Sequence, residues 1–408
     1  MKKSVGILLA ICIIALTCSC GSSTRQKSDS SGVTLTIAAR DGSHTDVINA
    51  VKKTFEEENN CTVHVISLSA DDIHKTVIED VSNSPGRYDL IMIDDPLMPE
   101  YIEKRVLLNL TKLGYSDDDD FVEKSRLLGK DPYPLGATYS LPFSGNVQLL
   151  FYNDDLLKDP SALADWEDIL KACEEIHKSG KNGYAIRGQA GNPIVSDFLP
   201  ILWAFGGDLF DENNNVILDS KESREALEFY CKLYSTGGSY EKDDLVNAVS
   251  SGEAAVALGW PSWFTQGTEQ KASIEQIPGK EDDDANTLAT GEIGNWLLGV
   301  TSNSANPELS LKLAIYLTSR DVQIESVNHG GIPTRKSVFK DKDILSKYPY
   351  FDQIYSGTNN SRVRPRTTKW SRIEEVFGAE LFKCIKGEQS VDETIEKSHK
   401  AIEELGME

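Results

Sequence analysis

The sequence predicts an α/β protein of two lobes, and three observations carry that expectation. A chain of 408 residues is longer than one hydrophobic core of ordinary size covers. From Val33 it alternates apolar strands with amphipathic helices at the spacing of β–α–β units, which means a parallel sheet buried on both faces. Further apolar strands follow much later, at "LLFYN", "AAVALG" and "NWLLGV", with capped helices between them.

The first strand is "VTLTIAAR" (33–40), broken at "DGSH" before an amphipathic helix through "TDVINAVKKTFEEENN". A second strand, "CTVHVISL", a helix around "DDIHKTVIEDVSN" and a third strand, "YDLIMID", complete the unit. Ligands of such sheets bind beyond the carboxyl ends of the strands. That rule selects Asp41 in "RDGSH" and Asp94 with Asp95 in "DDPLMPEY". "LPFSGNVQLLFYNDDLL" reads as an extended segment entering another apolar strand, followed by the capped helices "DWEDILKACEEIHKSG" and "ESREALEFYCKLYSTGG". "AAVALGWPSWF" reads as a buried strand stopped at Pro261. The last helices are "NPELSLKLAIYLTS", with Pro307 at its start, and the segment from Ser371 to Gly406.

A hydrophobic fraction of 39% and a charged fraction of 26% describe a polar globular protein. The net charge of -22 argues against nucleic acid and anionic membrane surfaces as partners, because both would repel it. The start, "MKKSVGILLAICIIALTCSCGSS", joins two lysines, an apolar run and small residues, the layout of a secretory signal. It resembles a bacterial lipoprotein signal covering residues 1–19, with Cys20 as the lipid-modified residue and Cys18 as the alternative. Residues 20–32 then form a solvated tether. Cys61, Cys173, Cys231 and Cys384 read as small buried hydrophobes, with their pairing open.

Nucleophile-elbow, zinc-helix and phosphate-loop motifs do not occur, and the six histidines have no metal-ligand spacing. "DENNNVILDSKE" places oxygen ligands like a calcium loop but has Val216 where the sharp turn requires Gly, so it reads as a tight turn. "SDDDD" and "EDDDAN" read as solvated turns or caps. Sugar recognition needs flat faces for ring C–H surfaces and bidentate groups for hydroxyls. Trp260, Trp296 and Trp370 fall near predicted strand ends or loops, each weighed against core packing. Trp203 reads as core or wall, Trp263 as nearer to core, and Trp166 as a surface or capping contact.

The order of these segments resembles the extracellular solute-binding proteins of ABC importers, in the sugar-binding group that includes maltose- and trehalose/maltose-binding proteins. "YDLIMIDDPLMPEYIEKRVLLNLT" (with Arg105 where Gly is common), "LPFSGNVQLLFYNDDLLKD", "VSSGEAAVALGWPSWF", "GNWLLGVTSNSANPELSLKLAIYLTS" and "GGIPTRKSVF" carry the likeness over nearly the whole mature chain. The resemblance implies a periplasmic-binding-protein-like fold, with lobes joined by hinge crossovers around a ligand cleft. It places residues 33–143 and 299–350 in a first lobe and 144–298 and 351–408 in a second. It implies ligand contacts from Asp41, Asp94, Asp95, Trp260, Trp296 and the Arg364 of "VRPRTTKW", with Asn146 where the family carries an acid; Trp203, from its own place at a helix end, is counted as a further ligand contact. It further implies a lipid-anchored monomer without cofactor or metal that binds a sugar, oligosaccharides first, serves a membrane permease and performs no chemistry. A non-sugar solute such as a polyol phosphate, polyamine or peptide, or a surface glycoside hydrolase, is the alternative. Adjacent Asp94 and Asp95 point to opposite faces of a strand, so they do not make a glycosidase carboxylate pair by themselves.

Overall fold

A computed structural model describes residues 32–264, 272–279 and 291–406. The leader with Cys18 and Cys20, most of the tether, and the run "EDDDAN" lie outside the described residues. The strands are β1 (Val33–Arg40), β2 (Cys61–Leu68), β3 (Leu90–Asp94), β4 (Lys130–Asp131), β5 (Ala137–Thr138), β6 (Ser140–Ser144), β7 (Leu149–Asn153), β8 (Asn182–Ile186), β9 (Gly238–Ser239), β10 (Ala254–Gly259), β11 (Ala272–Glu275) and β12 (Trp296–Val300). One sheet has the order β2-β1-β3-β12-β6 and a second has β11-β7-β10-β8-β9.

β1, β2 and β3 are parallel, as the β–α–β spacing predicts. β12 enters antiparallel between β3 and β6, with Trp296 beside Asp94 and Ser144. The start of β12 therefore shares an edge with the carboxyl end of β3. In the second sheet β8 and β10 run parallel, so their carboxyl ends share one edge as well. Ser69, Asp165, Ser220 and Ser390 cap helices by accepting first-turn N–H groups, which satisfies donors the helix leaves open.

The first lobe packs Leu35, Ile37, Ile91, Ile93, Leu297 and Leu313 in one core. The second lobe carries a core on each face of its sheet, one around Phe198, Tyr230 and Phe377 and one around Phe151, Ala257 and Phe264. Three segments run between the lobes and bond to one another. Gly294 N–H donates to the Asn146 carbonyl at 3.1 Å, Gln148 N–H to Glu292 at 2.9 Å, and Ile293 N–H to Arg362 at 2.9 Å.

The lobe boundaries differ from the expected ones at two places. β12 lies wholly in the first sheet, so the chain returns there before Trp296 rather than at residue 299. Residues 327–350 do not stay in the first lobe. Val327, Ile332, Val338, Phe339 and Ile344 pack on Phe151, Ala257 and Phe264, because that face of the second sheet needs an apolar cover.

Three smaller expectations are settled by packing. Trp166 is fully buried, its ring edge-on to Phe229 at 6.1 Å, so it is core and not surface. "SDDDD" is docked rather than solvated. Asp117 pairs with Arg126 and Lys130, and Asp118 and Asp120 pair with Arg335. At "DENNN", Asp211 accepts from the backbone of Asn213 and Asn215, each at 2.8 Å, closing a turn between bridge partners Phe210 and Val216. Cys61, Cys173, Cys231 and Cys384 are free thiols, with Cys231 and Cys384 Sγ atoms 3.8 Å apart.

Candidate functional site

Asp94 ends β3 and Asp95 opens the short 3-10 turn Asp95–Leu97 after it, and their side chains part there. Asp94 faces the space between the lobes, and its Oδ1 accepts from Arg364 Nη2 at 2.9 Å. Asp95 is fully buried and braces the hinge, which corrects its expected place among the ligand contacts. Its Oδ2 accepts from Asn295 N–H at 2.7 Å and from Arg364 at 3.1 Å. Burial pushes its carboxyl up to about 6 against the pull of Arg364. Glu292, also fully buried, accepts from the Ser196 hydroxyl and lies 3.8 Å from Arg364 Nε. Burial lifts it to about 8, with Arg364 and Ser196 opposing. Burial works to lower Arg364, but Asp94, Asp95 and Glu292 hold its guanidinium well above the usual range.

The tryptophans separate into cleft and core. Trp296 opens β12 half-buried, with Arg40 5.9 Å and His44 5.9 Å from its ring. Trp260 follows β10, and its ring lies so close to Gly294 that a Cβ there would sit 2.5 Å away. Trp263 faces the cleft too, on the helical turn Pro261–Phe264, with Arg187 4.9 Å and Lys242 6.0 Å from its ring. It is half-buried, packed at the edge of the core around Phe151 and Phe264 as expected, with a face left to the cleft. Trp203 is the reverse: 5% exposed, it packs in the second-lobe core. Its Nε1 donates to Asp208 at 3.2 Å, and Arg362 covers its ring at 4.6 Å. Trp370 is core as well.

Between the lobes lies a cavity of about 820 Å³. The first lobe lines it with Arg40, Asp41, His44, Asp71, Asp94 and Trp296. The second contributes Arg187, Asn192, Ser196, Lys242, Trp260 and Trp263, and the crossovers add Asn146 and Arg364. An adjoining space of about 300 Å³ shares Asp71, Asp94, Asn192 and Trp296 and extends to His74 and Glu374. Asp41 stands at the mouth, its carboxylate paired with Arg40. Asn146 donates from Nδ2 to Ser262 Oγ at 2.8 Å, while its Oδ1 has no partner among the described residues. His44 is pushed down to about 3, by burial first and then by Arg40 and Lys242, and so stays neutral.

Sequence reasoning missed His44, Asp71, Arg187, Asn192, Ser196 and Lys242. Arg187 directly follows β8, so the strand-end rule that found Asp94 and Trp260 finds it too. His44 lies in the "RDGSH" break that the same rule selects. Lys242 and Asn192 open helices, and only the tertiary arrangement aims them here.

The family described as bacterial extracellular solute-binding protein matches residues 41–324. The chain belongs to that family. A probable ABC transporter-binding protein of Deinococcus radiodurans is 24% identical over 276 residues, 61% of this chain and 64% of the relative. An arabinooligosaccharide-binding protein of Halalkalibacterium halodurans is 23% identical over 303 residues, 67% of this chain and 65% of the relative. The solute-binding protein thus matches less than two thirds of either relative's length. Maltose-bound MalE3 of T. maritima shares its fold, with a TM-score of 0.81, 23% identity and coverage of 92% of this chain and 100% of that one.

Proposed function

We propose that this protein is the substrate-binding component of an ABC importer, which closes its two lobes over a sugar of oligosaccharide length and presents it to a membrane permease. The observation that carries this is a cavity of about 820 Å³ walled by Trp260 and Trp296 and furnished with charged hydrogen-bonding groups. Its size falls within the roughly 300–1,000 Å³ of small-molecule sites. Indole faces suit the C–H surface of a sugar ring, and carboxylates and guanidinium groups suit its hydroxyls. Asp41, Asp94, Asn146, Trp260 and Trp296 touch the ligand in this reading, and Arg364 acts alongside Asp94. The maltose bound by MalE3 and the arabinooligosaccharide-binding relative support the sugar class. The protein binds without cleaving, works as a monomer and stands on its membrane by a lipid on Cys20.

The test is a thermal-shift screen over mono- and oligosaccharides with analysis of the sugars afterwards. A bound ligand raises the melting temperature and is recovered intact; cleaved sugar overturns the binding-only reading. Trp296→Ala is expected to weaken binding by about 2 kcal/mol, roughly 30-fold, while melting stays near that of the parent. A large loss of stability with affinity intact returns Trp296 to the core.

A further inference from the structure

The cations lining the cleft are not equally paired. Arg40 has Asp41, and Arg364 has Asp94 and Asp95. Arg187 makes no ion pair with a described residue, and its Nε is buried without a hydrogen-bond partner. The acids around it, Asp197, Glu241 and Glu292, form no ion pair with its guanidinium. Asp197 accepts from the Tyr230 hydroxyl at 2.9 Å and from the Arg187 backbone, Glu292 is taken by Ser196, and Glu241 is exposed. Among the described residues Lys242 makes one ion pair, with its exposed neighbour Asp243 at 3.7 Å. Arg187 and Lys242 both approach the Trp263 ring.

The backbone adds to the same potential. The helices Ser43–Asn59, Asn192–Ala204 and Lys242–Ser251 begin without a side-chain cap. Their first residues, Ser43, Asn192 and Lys242, line the cavity. The ends at Ser43 and Lys242 present open N–H groups and a positive partial charge, whereas at Asn192 the next residue, Pro193, has no N–H and Ile194 N–H donates to the Gln189 carbonyl at 3.2 Å. Asp71 and Asp94 keep the opposite wall acidic. Arg187 is half-buried with its Nε closed off and unpartnered, which costs stability, and an anion in the cleft would recover that cost through charge-assisted bonds.

We infer that the ligand is an acidic carbohydrate, whose carboxylate or phosphate lies against Arg187 and Lys242 beside Trp263 while its neutral rings reach Trp260, Trp296 and Asp94. This rests on the cleft being the sugar site and names the class of sugar it takes. A neutral sugar fills the same volume but leaves Arg187 without an ion pair.

The experiment is titration calorimetry of the purified full protein against matched sets of mono- to tetrasaccharides, each neutral sugar beside its uronate and its 6-phosphate. The tightest binder is expected to be an acidic member, by about tenfold or more over its neutral partner, with an advantage that shrinks in high salt. Arg187→Gln and Lys242→Gln are expected to abolish most of that advantage. The uronate and phosphate arms tell the two anions apart. If a neutral sugar binds as tightly as its acidic partners, the inference falls and the sugar reading stands. If no saccharide of either kind binds, the sugar reading falls with it. Lys242 begins a helix with its side chain about half exposed (47%), so Lys242→Gln decides the matter even where Arg187→Gln unfolds.

Discussion

Trp260 keeps its position in the cleft because residue 294 has no side chain. A Cβ at Gly294 would lie 2.5 Å from Cη2 and Cζ3 of the indole, closer than packed atoms tolerate, so the ring would have to move. Gly294→Ala is expected to cost about 1–3 kcal/mol of stability and to weaken ligand binding by tenfold or so through the displaced ring. Calorimetric melting and titration of one variant measure both, and unchanged affinity would remove Trp260 from the ligand wall. At this scale the sequence was readable wherever a residue ends a strand. Asp94 and Trp260 were located by that rule, Trp296 by its place at the start of β12, and alternation separated Asp94 from Asp95 without saying which faced the cleft. Trp166 was misplaced, Trp203 left undecided and the cleft face of Trp263 missed, because the face a ring meets depends on contacts such as Phe229, Arg362 and Arg187 that periodicity does not contain.

Elements declare themselves locally, and their partners do not. The helix from Trp166 was legible from Asp165 at its cap and Gly180 past its end. The antiparallel entry of β12 was not, since it joins Asn295 to Asp95 across 200 positions. The acidic run at 116–120 shows the same limit. It reads as solvent-facing, yet Asp120 accepts the Ser337 N–H at 2.9 Å and its hydroxyl at 2.6 Å, and it also meets Arg335. Partial burial alone would raise its carboxyl, but Ser337 and Arg335 hold it below the usual range. Asp120 thereby pins the helical turn Lys336–Phe339 that covers the second sheet. Asp120→Ala is expected to destabilise by about 2 kcal/mol, with Asp119→Ala near neutral as its control. Denaturant unfolding of both checks this, and equal effects would make the run a solvated turn after all.

The whole molecule carries a net charge of -22 and hides acids where water does not reach. Asp95, Asp197 and Glu292 are essentially fully buried, and burial pushes them up to about 6, 7 and 8. Unfolded, each releases its proton near pH 4. Between about pH 4.5 and 8 the folded chain therefore holds protons that the unfolded chain has lost, so stability falls as pH rises through the folded values. Rising self-repulsion acts in the same direction. On the acid side the sign reverses. Glu100 is held down to about 2 because His74 and Lys104 outweigh its partial burial, and Asp117 and Asp120 are also depressed. Their stabilisation is present above the unfolded values and lost as the medium turns more acid. Melting temperature is thus expected to peak near about pH 4 to 4.5, where the two limbs meet, and to drop by on the order of 5 °C by pH 8.5. Scans from about pH 3 to 9 at constant ionic strength measure it, and a flat or rising curve from about pH 6 to 8.5 contradicts it. Glu292→Gln keeps the shape of the side chain but removes the proton equilibrium, so in that variant the decline above pH 7 should flatten while the acid limb stays unchanged.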